Sequence, residues 1–184
     1  MATTQSLMRT FGLNASLEHT ENQLGDHFDP RSQVVRLSPG IADQPSVAAM
    51  AVAAHEFGHV QQYQQNSPLI AARSFILPVA QFGSYGAYLM LIGGLLMNFF
   101  ELALLGLIVF AVVVLFSVLT LPIEFDASRR AMKMLEGSGL IVTREDRQGA
   151  QAVLRAAALT YVAATAVAIL NFAYYAMLVF GSRD

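Results

Sequence analysis

Three long stretches of this chain contain no charged side chain. Phe75–Met97 runs for 23 positions, Leu102–Leu121 for 20 and Ala156–Phe180 for 25. Each is long enough to cross a hydrocarbon core of about 30 Å as a helix. Three such runs in 184 residues are hard to reconcile with a soluble domain. Charged residues make up 13% of the chain, against about 25% in soluble proteins. The expected fold is therefore mainly α and integral to a membrane, with about three transmembrane helices.

The first two runs are separated by Asn98-Phe99-Phe100-Glu101, which predicts a tight transmembrane hairpin with its phenylalanines at an interface. Tyr174 and Tyr175 suit the same aromatic belt near the far end of the third run. Gly83, Gly86, Gly93 and Gly94 would let helices approach closely. Basic residues set the orientation. Arg73 precedes the first run, Arg129, Arg130 and Lys133 follow the second, and Arg144, Arg147 and Arg155 precede the third; Arg183 is the lone basic residue at the opposite ends. The positive-inside rule then puts residues 1–73 and 122–155 in the cytoplasm and the hairpin tip and C-terminus outside. The formal net charge of −2 and the absence of a basic cluster argue against a nucleic-acid partner. There is no cysteine, which excludes disulfides and thiolate metal sites. Met1-Ala2-Thr3-Thr4 lacks the basic and apolar regions of a signal peptide.

Four segments follow. Residues 1–73 form a cytoplasmic segment with a small sheet and a helix; 75–121 form the hairpin; 122–136 form a cytoplasmic helix; 143–184 form a long helix that includes the third span. Within the first segment, Thr4–Phe11 has helical spacing and stops at Gly12. Ala15–Thr20, Asp26–Phe28 and Val34–Leu37 have strand character, with Asp29-Pro30-Arg31-Ser32 as a turn. Ser46 is a candidate N-cap for a helix over about Val47–Gln65. Pro122 is expected to start or kink the helix after the hairpin, and Thr143 with Asp146 resembles a capping box for the last one.

The helix over 47–65 carries His55-Glu56-Phe57-Gly58-His59, an H-E-x-x-H motif. Residues i and i+4 share a helix face, so both imidazoles can meet one ion while Glu56 flanks them as a general base. That is the donor pattern of a zinc hydrolase with one position left for chemistry. Such a site needs a third protein ligand. His19 and His27 lie upstream and no histidine lies downstream, so a carboxylate is favoured. Glu101 belongs about 30 Å away at the other membrane face. Glu136, Glu145 and Asp146 read as solvated charges. Glu124 stands in apolar company at the membrane-proximal start of its helix, where a carboxylate needs a compensating partner. It ranks first as ligand, with Asp126 behind it and a favourable helix-terminal charge as the simpler reading.

The chain resembles the bacterial membrane-embedded neutral zinc metallopeptidases called YugP-like. The resemblance rests on His55–His59 followed by Gln61 and Gln62, on Leu121–Ala131 around Glu124, and on Ala158–Ala164; Asp26–Pro30 and Val35–Ser38 agree as well. It extends from about Thr3 to the end of the chain. It implies one zinc ion held by His55, His59 and Glu124, with Glu56 as catalytic base, in a multi-pass bacterial membrane peptidase; the distribution of basic residues puts that site at the cytoplasmic face of the inner membrane. A polypeptide, membrane or misfolded, would be the substrate, with the bilayer and other membrane proteins as partners. The resemblance also implies a further transmembrane helix at the N-terminal end, which this sequence does not show. The related HtpX-like proteases carry Asp four residues after the ligand Glu, in reach of a zinc histidine; here Ser128 occupies that place and brings a hydroxyl without charge. Tyr161, Arg129 and Arg130 are candidate oxyanion donors, and Val34–Leu37 is a candidate strand for substrate to pair with. A zinc-binding scaffold that binds a partner protein is the alternative, ahead of a transport component, for which the spans offer too few polar residues.

Overall fold

In a computed structural model of the protein, residues 2–22 and 25–181 are described, and Arg183 lies outside them. The chain is mainly helical: α1 (Ala2–Thr10), β1 (Ser16–His19), β2 (His27–Asp29), β3 (Val34–Leu37), α2 (Pro39–Ala42), α3 (Val47–Gln64), α4 (Pro68–Leu96), α5 (Phe100–Gly137) and α6 (Arg144–Gly181). Residues 1–67 and 123–159 form one compact unit, and residues 68–122 and 160–184 a second.

The first unit contains a three-stranded sheet in the order β1-β3-β2, with β1 parallel and β2 antiparallel to β3. The inner strand β3 is the one that buries its side chains: Val35 and Leu37 are fully enclosed. They join Phe57 and Val60 of α3, Met134 and Leu135 of α5, and Leu154 of α6 in one apolar core. α3 begins at Ser46, whose side chain accepts from the Ala49 N–H at 3.1 Å, as an N-cap should. Four buried alanines on its first turns, Ala49, Ala51, Ala53 and Ala54, keep the helix thin where it packs. The capping box at α6 is reciprocal: Thr143 N–H donates to Asp146 Oδ2 and Asp146 N–H to Thr143 Oγ1, both at 3.0 Å.

The second unit is apolar. α4, α5 and α6 are each long and apolar enough to cross a membrane. α4 and α5 meet through small residues. A Cβ on Gly94 would collide with the backbone of Ala103, and one on Gly106 would meet Leu91 N at 2.6 Å. Gly83 also faces α5, at Val109, whereas Gly86 and Gly93 have open space. The Tyr175 ring packs against Tyr88 and Phe110 at 5.8 and 5.9 Å. Pro122 sits inside a continuous α5, although it cannot donate the helical hydrogen bond. Neighbouring Ser117 and Thr120 hydroxyls bond back to Val113 and Phe116 carbonyls, so the helix passes through with polar side chains on the preceding turn.

Candidate metal centre

The H-E-x-x-H motif occupies the middle of α3, and what brings Glu124 to it is a glycine. Gly58 lies against the backbone of α5: a Cβ there would come within 2.5 Å of the Ala127 carbonyl oxygen and 3.0 Å of its Cα. Only a hydrogen at this position lets the two helices approach so closely. Glu124 is one turn before Ala127 on α5, and its Oε2 reaches 3.1 Å from His55 Nε2 and 3.6 Å from His59 Nε2. Three potential ligand atoms thus converge, within 4.8 Å of one another.

This donor set fits a small divalent cation. Ligands about 2.0–2.2 Å from a tetrahedral zinc are separated by about 3.3 Å, which the two observed distances bracket. The tautomers agree as well. Gln62 donates its amide nitrogen to the Ile123 carbonyl and to Asp126 Oδ2, both at 2.9 Å. Its amide oxygen is thereby turned toward His59 Nδ1 at 3.0 Å, so Nδ1 carries the proton and Nε2 presents a lone pair toward Glu124. A lone pair and a carboxylate oxygen facing each other need positive charge between them. Burial by itself would depress the His59 pKa, but hydrogen bonding to Glu124 and the charges of Glu56 and Glu124 outweigh it and raise the value. Burial likewise opposes ionisation of Glu124, yet hydrogen bonds and charge from the two histidines bring its pKa down to about 2. The site therefore attracts cationic charge, as a proton or as a metal.

Asp126 lies outside the donor set. Arg130 Nε binds it at 2.6 Å, and Arg130 also donates to Gln61 on α3 and to Gln65 just past the end of that helix, at 3.2 and 2.7 Å. Burial raises the Asp126 pKa, but the hydrogen bond from Arg130 prevails and the carboxyl is held low. Arg130, Asp126 and Gln62 thus form a chain that ends on His59 Nδ1. On the other ring, Ser128 Oγ is 3.2 Å from His55 Nδ1, so the hydroxyl supports this imidazole without bringing a charge. The charged support at this centre reaches His59 instead, through an amide. Gln61 and Gln62 were legible only as family pattern; the signal that could have assigned Gln62 a role is its i+3 spacing from His59.

Glu56 also stays out of the donor set. Its Oε2 accepts the backbone N–H of Phe28 at 3.0 Å, which fixes the carboxylate to the edge strand β2. Desolvation raises its pKa despite the opposing positive potential of His59 and His55. A buried carboxylate beside the donor set and outside it is placed to take and return a proton. β2 is itself anchored: Asp26 accepts from the Ser38 N–H at 2.7 Å and its Oγ at 3.0 Å. Val34–Leu37 proves to be the central strand, with both edges occupied by β1 and β2, so it has no edge for a substrate strand. His27 bonds to the Gly25 carbonyl through Nδ1 and is not among the converging ligands. Arg130 is committed to Asp126, Gln61 and Gln65, and Tyr161 belongs to the apolar unit.

Two comparisons with known proteins give the family of the chain. The model of a family described as putative neutral zinc metallopeptidase matches residues 1–180. The chain is 40% identical over 168 residues to the protein named "Putative membrane protease YugP" of Bacillus subtilis (strain 168), covering 91% of this chain and 74% of that one. No solved structure matches. Matched over residues 1–180 of its 184, the chain belongs to this family, the one described as putative neutral zinc metallopeptidase.

Proposed function

We propose that the protein is a membrane-integrated zinc endopeptidase that cuts polypeptides at the cytoplasmic face of a bacterial inner membrane, with membrane or misfolded proteins as substrates. The observation that carries it is the convergence of His55, His59 and Glu124 beside a separately anchored Glu56. Zinc held by these three residues would supply a Lewis acid and a water acidified toward about pKa 7. Glu56 takes the water's proton and delivers it to the leaving amine; the Phe28 N–H keeps its carboxylate aimed during both transfers. Gln62 and Ser128 hold the two imidazoles in place, so that the donor set does not reorganise between steps.

The cytoplasmic placement is supported by the seven basic residues from Arg73 to Arg155 that flank the uncharged runs on one side. Because the chain has no cysteine, single cysteines give a clean topology test. Glu21→Cys should react with an impermeant maleimide in inverted vesicles alone, and Met97→Cys in right-side-out vesicles alone; the reverse pattern would overturn the orientation.

The activity is tested with unfolded casein and the detergent-solubilised protein. Wild type should cleave, lose cleavage with a chelator and regain it with zinc. Glu56→Gln should keep its zinc while cleavage falls by about 10²–10⁴-fold. Full cleavage by Glu56→Gln would remove the base assignment. Stoichiometric zinc without cleavage in wild type would mark the protein as a zinc-binding scaffold.

A further inference from the structure

α5 and α6 form a groove of about 560 Å³ within the first unit, between Phe125–Met132 and Gln151–Leu159. Its walls are apolar, and two of them, Phe125 and Leu159, are 44% and 64% exposed. No acidic side chain lines it, whereas two guanidinium groups do, those of Arg129 and Arg155. Arg129 is largely exposed and its partner is Asp126 at 3.9 Å, a carboxylate already held by Arg130 at 2.6 Å. Arg155 has neither an ion-pair nor a hydrogen-bond partner among the described residues.

The groove is not part of the metal centre. None of His55, Glu56, His59 and Glu124 lines it. Ser128 is the shared residue, and it meets His55 at Nδ1, the edge of the ring opposite the donor nitrogen. Along its own helices the groove borders the uncharged runs. Phe125 is four residues past the uncharged run that ends at Leu121, and Arg155 directly precedes the one that starts at Ala156. At 1.5 Å per residue Arg129 stands about 12 Å beyond its run, within reach of the headgroups for a side chain that snorkels.

We propose that this groove binds one anionic phospholipid of the adjoining leaflet. Arg129 and Arg155 take the phosphodiester, and an acyl chain lies along Phe125, Leu154, Ala158 and Leu159. A zwitterionic lipid presents an ammonium to the same two cations and binds less well. The bound lipid is one side chain from His55, so the charge of the leaflet bears on the orientation of a metal ligand through Ser128.

The chain has no tryptophan, so Leu159→Trp, or Met132→Trp as a second reporter, gives a fluorophore in the groove alone. The protein is reconstituted in phosphatidylcholine vesicles containing brominated phosphatidylglycerol or brominated phosphatidylcholine. Quenching should need about tenfold less brominated phosphatidylglycerol. That preference should vanish in Arg129→Gln/Arg155→Gln and on filling the groove with Ala158→Phe, and persist in Lys133→Gln, a basic residue outside the groove. Equal quenching by both lipids, or a preference that survives the double substitution, would overturn the proposal. So would competition by glycerol phosphate, which would indicate a site for a free anion, or displacement of the lipid by unfolded casein in a Glu56→Gln background, which would indicate a peptide groove. Neither readout depends on peptidase activity.

Discussion

Beyond its apolar packing, each of the two units of this protein brings side chains together in a different way. In the unit that carries the motif, polar side chains converge: Arg130, Asp126, Gln62 and His59 are linked end to end, and Glu56 is tied to a strand backbone. In the apolar unit, side chains converge mainly by shape. Gly94 and Gly106 admit a neighbouring backbone, and Leu91, Leu107 and Val179 fill the space between helices. The apolar unit leaves most of its surface for lipid, with 17–22% of each spanning window buried, and Phe75, Phe82 and Tyr85 more than four-fifths exposed. Charge placement is thus concentrated where chemistry is proposed, because an unpaired charge costs much more in hydrocarbon than in a solvated unit.

The contact at Gly58 offers the strongest way to break this contrast, since there the motif unit borrows the close small-residue approach of the apolar one. Gly58→Ala should destabilise the protein by about 1–3 kcal/mol and weaken zinc binding with it, because α5 must move and carry Glu124 away. Thermal unfolding and zinc titration check both; an unchanged zinc affinity would separate the helix contact from the centre. Gln62→Leu should lower zinc affinity by about 10–100-fold with little loss of helicity, since it removes the hydrogen bond that orients His59. If Gln62→Leu instead unfolds the protein, the chain from Arg130 to His59 is structural first.

The next test uses pH. The raised His59 pKa means that the metal-free protein holds a proton the unfolded chain would release, so this contribution is complete below about pH 6.5 and lost as pH rises through the folded value. Glu56, also raised, acts in the same direction. Zinc competes for the charge His59 would carry and binds better as pH rises. The difference in melting temperature between zinc-loaded and chelator-treated protein should therefore widen from pH 6 to pH 8; a narrowing would contradict the assigned ionisation. The smallest effect is expected in the apolar unit: Phe82→Ala, at a side chain 82% exposed, should change stability by about 0.5 kcal/mol or less in lipid nanodiscs.

Much of this was legible in the sequence, for identifiable reasons. Charge-free runs disclose apolar helices because hydrocarbon tolerates little else, and i, i+4 spacing places two imidazoles on one face without further information. Glu124 could be ranked above Asp126 because its apolar neighbours left a carboxylate without solvent. The strand order was not legible: Val34–Leu37 is no more apolar at its ends than an edge strand, and its central place depends on the parallel partner β1, a pairing between segments with no local signature. Gly58 was hidden for a similar reason. Its importance lies in the Ala127 carbonyl 69 positions along the chain, and the motif specifies nothing about the residue before its second histidine.

The central claim is that α5 completes the centre begun on α3, through Glu124 and not through Asp126. It is tested most directly by zinc content after equilibrium dialysis of wild type, Glu124→Ala and Asp126→Asn. One zinc per chain is predicted for wild type and, with weaker affinity, for Asp126→Asn, while Glu124→Ala should retain little or none. Full zinc occupancy in Glu124→Ala would contradict it, as would loss confined to Asp126→Asn.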